Sequence, residues 1–70
     1  MVYKRIRDLR EDHDLTQKGV AEALGMHKTT YVRYEQGDRE PPLAFAITLA
    51  RFYGVSLDYL AELSDHPKGP

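Results

Sequence analysis

Residues 25–37 read GMHKTTYVRYEQG and gather hydrogen-bonding side chains around one bare valine. On a helical wheel at about 100° per residue, Lys28, Val32, Gln36, Thr29 and Arg33 fall in that order within roughly 140°. Thr30, Tyr34 and Tyr31 take the opposite side, with Glu35 at the border. Lysine and arginine donate to guanine O6 and N7, a threonine hydroxyl serves several bases, and a small apolar group meets a thymine methyl. The outward flank therefore carries the chemistry that reads base edges in a major groove. Val32 is what a purely solvated face leaves unexplained, although isolated exposed apolar residues are common enough to keep that plainer reading open.

Other reactive residue types lead nowhere so specific. The cluster EDHD at residues 11–14 suggests a metal or acid–base site. Consecutive helical residues point in different directions, however, and no second ligand pair stands nearby at i, i+4. His13 reads as a helix-end or part-core residue, while His27 and His66 are isolated. No serine–histidine–acid arrangement, glycine-rich phosphate loop or cofactor box can be recognised. Tyr3, Tyr31, Tyr34 and Tyr53 stand at core spacings, which argues against a stacking platform for single strands. The expectation is no enzyme, with no cofactor, no metal and no evident small-molecule ligand.

Helices must position these side chains, since the apolar periodicity is helical throughout and nothing alternates for long enough to make a strand. Ile6, Leu9 and His13 share a face, giving a first helix over about residues 2–12. It ends near Asp14, because aspartate is one of the few non-glycine residues that tolerates a left-handed turn. Thr16 is an N-cap for a second helix that turns Val20, Ala21 and Leu24 inward. Leu15 and Val20 have the spacing of a hydrophobic staple, and Gly25 closes the helix. A third helix runs from about Lys28 to Gln36, with His27 as an imperfect cap and Gly37 as the stop. Pro41 and Pro42 introduce a fourth, Leu43 to Tyr53, where a missing N–H costs nothing, and Gly54 ends it. Ser56 caps a fifth helix bearing Leu57, Leu60 and Leu63, with Val55 and Leu60 as a second staple. The expected class is all-α: five short helices in one compact bundle over residues 1–64, then a flexible tail at 65–70.

The whole chain sets limits on partners. Seventy residues make at most one domain, with a core small enough to need efficient helix packing or a partner subunit. There is no cysteine, which fits a reducing cytoplasm. No apolar run reaches the ~18 residues of a membrane span, and MVYKRIRDLRED lacks the apolar centre of a secretion signal. A cytoplasmic, nucleoid-associated protein is expected. The formal charge of −1 is no help to a polyanion partner, but its distribution is uneven. Residues 1–10 hold four cations against one acid, and residues 40–70 two cations against four acids. One end suits phosphate and the other does not.

Two helices that cross steeply need a small residue at the crossing and a tight turn between them. Ala21 stands four residues before Gly25, among the inward Val20, Leu24, Met26, Tyr31 and Tyr34. The run LTQKGVAEALGMHKTTYVRYEQGDREP, followed by LARFYGVSLDYL, resembles the lambda-repressor-like (Cro/CI-type, Xre) helix-turn-helix family over about residues 3–63. The resemblance implies a five-helix bundle whose helices two and three form the helix-turn-helix. It also implies roles. Lys28, Thr29, Val32 and Arg33 match base-contacting positions. Gln17, Thr30, Gln36 and Arg39 match phosphate contacts, and Arg10 with Glu35 matches a structural ion pair between helix one and the end of helix three. The chain departs from the family pattern at several places. Gly19 lies inside helix two, where glycine costs about 1 kcal/mol relative to alanine. Asp14 replaces a usual glycine, His27 a serine or threonine cap, and Tyr31 a smaller aliphatic residue. Asp38 stands where lysine is common and removes a phosphate contact.

Helix four is more apolar than a core-facing stripe requires. Its apolar positions span roughly 220° of the wheel, leaving Thr48 and Arg51 as polar positions with Ala44 between them. Helices one and five account for the surplus if they wrap around it. The alternative is a homodimer contact that includes Tyr59, Leu60 and Leu63, which the resemblance favours. Two copies would read the two halves of a palindromic operator about one DNA turn, ~34 Å, apart. The resulting expectation is a dimeric repressor bound to double-stranded DNA. Its rival is a protein-interaction module, antitoxin-like or anti-regulator, that uses the apolar surface of helices four and five.

Overall fold

The computed structural model describes residues 5–61, and every regular element among them is helical. In chain order these are α1 (Arg5–Asp12), α2 (Gln17–Ala23), α3 (Lys28–Gln36), α4 (Leu43–Tyr53) and α5 (Leu57–Leu60). The fold is an all-α five-helix bundle. Residues 2–4 of the expected first helix, Leu63 and the expected tail lie outside the described residues.

Local chemistry sets the boundaries. Thr16 Oγ1 accepts a hydrogen bond from Gly19 N at 2.9 Å to start α2, and Ser56 Oγ accepts from Tyr59 N at 3.0 Å to start α5. α3 and α4 begin at His27 and Pro42 without a side-chain cap. The first four helices end alike. The backbone turns left-handed at Asp14 (φ 55°), Gly25 (φ 69°), Gly37 (φ 81°) and Gly54 (φ 68°). The next N–H then reaches back five residues, from Leu15 to Arg10, Met26 to Ala21, Asp38 to Arg33 and Val55 to Ala50, at 2.9–3.0 Å. Each ending satisfies carbonyls that a helix terminus otherwise leaves without partners.

Ile6 and Leu9 of α1, Val20 and Ala21 of α2, Tyr31 of α3, Phe45, Ala46 and Leu49 of α4, and Leu60 of α5 form one core. α2 packs on α3, while α5 packs on both α4 and α1. Tyr31 is the largest fully buried side chain. Its ring lies 6.3 Å from that of Phe45, and the Tyr34 ring lies 4.7 Å from the same phenylalanine. An aromatic seam thus fastens the inner side of α3 to α4.

The structure corrects one expected partner contact. Leu60 has no exposed surface, because α5 turns it into the core against α1 and α4, so it cannot meet a second subunit. Tyr59 is half-buried, and the Arg5 guanidinium sits 4.1 Å over its ring. The apolar surplus of α4 is only partly absorbed. Leu43 stays 63% exposed and Phe52 42%, joined by Leu57 of α5 at 37%.

Candidate nucleic-acid interface

α3 divides its side chains as its wheel requires. Tyr31 is buried and Tyr34 half-buried on the inner side, whereas Lys28, Thr29, Arg33 and Gln36 are exposed and Val32 is half-exposed among them. Lys28, Thr29, Val32, Arg33, Gln36 and Asp38 line one open groove of about 390 Å³. Among the described residues no neighbouring helix covers that flank. The turn from α2 into α3 is tight: left-handed Gly25 lets Met26 N bond Ala21 O at 3.0 Å, and buried Ala21 leaves room for the close approach of the two helices.

The far end of α3 is held from below. Arg10 Nε donates to Glu35 Oε2 at 3.0 Å and its Nη2 donates to Oε1 at 2.9 Å, a two-pronged pair across 25 positions of sequence. The Glu35 side chain is 3% exposed. Burial alone would raise its carboxyl pKa. The hydrogen bonds from Arg10 are the main effect that offsets this and holds it below the ordinary carboxylate range. The hydrogen bond to Glu35 likewise raises Arg10. Burial keeps the Tyr31 phenol neutral to well above its usual range and pushes Tyr53 up to about 12. Arg10 Nη1 donates to Leu15 O at 2.9 Å, which ties the α1–α2 turn into the same pair.

The assigned phosphate-contacting residues are dispersed around this frame. Gln17 at the start of α2 and Thr30 are half-buried, whereas Gln36 and Arg39 are exposed at the end of α3. Arg39 N folds back to Arg33 O at 3.3 Å, so residues 37–39 stay close to the groove. Gln17 and Gln36 meet in a second cleft, of about 520 Å³, together with Arg7, Arg10 and Glu35. Sequence reasoning missed two features here. Asp38 lines the α3 groove itself, a placement set by the turn after Gly37. The Leu15 carbonyl as a third acceptor for Arg10 has no signal in residue types, since it is a backbone group. His13 Nδ1 lies 2.8 Å from Leu9 O and its ring packs, tilted by 50°, 5.0 Å from that of Tyr53, at the end of α1. Among the described residues no three side chains are grouped to hold a metal, and no helix is long and apolar enough to cross a membrane.

Known proteins share this arrangement in sequence. A family model described as helix-turn-helix matches residues 6–60. An uncharacterised HTH-type transcriptional regulator, YobD of Bacillus subtilis, is 43% identical over 67 residues, which are 96% of this chain and 60% of that protein. The cryptic phage CTXphi transcriptional repressor RstR of Vibrio cholerae is 43% identical over 93% of this chain and 59% of its own length. The chain thus spans about three-fifths of these two relatives. An uncharacterised HTH-type regulator of Methanocaldococcus jannaschii, MJ0272, is 33% identical over 77% of this chain and 82% of its own. No solved structure gives a significant match. The match over nearly all of the described residues, with these relatives beside it, means that the chain belongs to the helix-turn-helix family of lambda-repressor-like (Xre) type, a family of transcriptional regulators and not of enzymes.

Proposed function

We propose that this chain is a sequence-specific double-stranded DNA-binding transcriptional regulator, a homodimer that represses by occupying a palindromic operator. The observation that carries the reading is the open flank of α3, where cations, a hydroxyl and one valine share a single groove. Lys28 and Arg33 donate to guanine edges, Thr29 bonds a neighbouring base, and Val32 meets a thymine methyl. Gln17, Thr30, Gln36 and Arg39 hold the sugar–phosphate backbone and set the register. Repression is supported by the description of RstR as a repressor. The site of action is the nucleoid in the cytoplasm.

A homodimer is part of the proposal because a single module makes too few contacts for tight specific binding. With Leu60 internal, the contact falls to exposed Leu43, Phe52 and Leu57 and to half-buried Tyr59. The same exposed apolar side chains favour a second reading, a protein-interaction module for which DNA is secondary. Selection from random-sequence duplexes by the purified protein separates the two. Enrichment of a two-fold symmetric sequence is expected. Recovery of a stoichiometric protein partner, with no enrichment of any duplex, overturns the first reading in favour of the second.

A further inference from the structure

We propose that Arg7 is a phosphate clamp beside the base-reading groove, a role that rests on the DNA-binding reading above. The cleft of about 520 Å³ lined by Arg7, Arg10, Gln17, Glu35 and Gln36 shares Gln36 with the α3 groove, so the two depressions adjoin. A duplex seated on α3 lays its backbone across this cleft. Within it, Arg10 and Glu35 cancel in charge, and each of the three Arg10 nitrogens is engaged by Glu35 or the Leu15 carbonyl. The two glutamines are neutral. Beside the two glutamine amides, the open donors of the cleft therefore belong to Arg7, whose charge is shared with exposed Glu11.

Arg7 is arranged to offer them. Its side chain is 68% exposed, and its one protein partner among the described residues is Glu11, to which Nε donates at 2.9 Å. Both terminal nitrogens stay open. They form the planar fork that matches two oxygens of one phosphate. Glu11, one helical turn further on, grips the guanidinium by its opposite edge and acts as a positioning residue that orients the fork before DNA arrives. Arg7 stands in the sequence as one of four cations in residues 1–10; only the fold brings it beside Gln17 and Gln36.

Each phosphate contact contributes about 0.9 to the slope of log affinity against log salt, or roughly eightfold in affinity at 0.1 M salt. The test measures binding of the unaltered protein, Arg7→Ala and Arg7→Lys to the selected duplex and to a scrambled one, between 0.05 and 0.3 M salt. For each bound copy, Arg7→Ala is expected to lower affinity on both duplexes by about that factor and to flatten the slope by about 0.9. Arg7→Lys is expected to keep the slope but not the full affinity, because an ammonium lacks the fork. An unchanged slope for Arg7→Ala overturns the clamp while DNA binding stands, as does a lysine variant equal to the original at every salt. Failure of the unaltered protein to bind any duplex overturns the function and the clamp together.

Discussion

Arg33 shares the exposed flank of α3 with Lys28, Thr29 and Val32, and among the described residues no protein acceptor occupies its guanidinium. A free fork on a helix that enters a major groove reads a guanine through O6 and N7. Arg33→Ala is expected to cost about 1–3 kcal/mol of binding and to relax preference at one base pair. Competition among duplexes mutated singly at each position measures this, and equal loss on every sequence would remove Arg33 from the reading set. Arg7, as the clamp proposed above, belongs to the opposite class, since its loss is expected to fall equally on all sequences and to follow salt. The two arginines are of one residue type. Their surroundings, a groove beside Val32 for one and a cleft beside two glutamines for the other, separate the roles.

At the scale of elements, the pose of α3 depends on a pair buried beneath it. Removing Arg10 leaves Glu35, whose side chain is 3% exposed, without its cation, and breaking such a pair costs about 3–5 kcal/mol. The pH dependence follows from the lowered carboxyl pKa. A depressed carboxylate contributes stability that is full above the unfolded value, about 4.3, and is lost as pH falls through the folded one. Arg10→Ala should therefore be far less stable than the unaltered protein in urea at neutral pH, and the gap should close in acid. A gap that stays constant down to low pH would mean the loss is packing alone. Helix α1 allows the reverse experiment. Asp14 is the single non-glycine residue among the described residues with positive φ, at 55°, and it does the work that Gly25, Gly37 and Gly54 do elsewhere. Asp14→Gly removes the steric cost of a Cβ there and is expected to raise stability by up to ~1 kcal/mol, seen as a higher urea midpoint with an unchanged slope.

The molecule as a whole is small against its proposed ligand. Nine residues of α3 make a helix about 13 Å long, which spans roughly four base-pair steps. The chain's longest extent is 33 Å, about one ~34 Å turn of the duplex. Phe52→Glu puts a charge on a side chain 42% exposed at the α4 surface, where the monomer has room for it. Self-association should weaken at least tenfold in sedimentation while the helical content holds; unaltered association would move the dimer contact elsewhere. The bounds of α3 and α4 were legible in the sequence to the residue, because Gly37, Pro42 and Gly54 act on their own backbone and need no distant neighbour. The outward flank of α3 was legible for the same reason, as a wheel is a local property. What the sequence left open depended on which helix lies over which. Leu57 and Leu60 are three residues apart with the same chemistry, yet one is 37% exposed and the other has no surface at all. Tertiary packing also put Arg5 over Tyr59 and Arg7 beside Gln17 and Gln36, whereas the Arg10–Glu35 pair was expected, though only through the family resemblance. These placements join residues far apart in the chain, and only the closing of one shared core brings them within reach of each other.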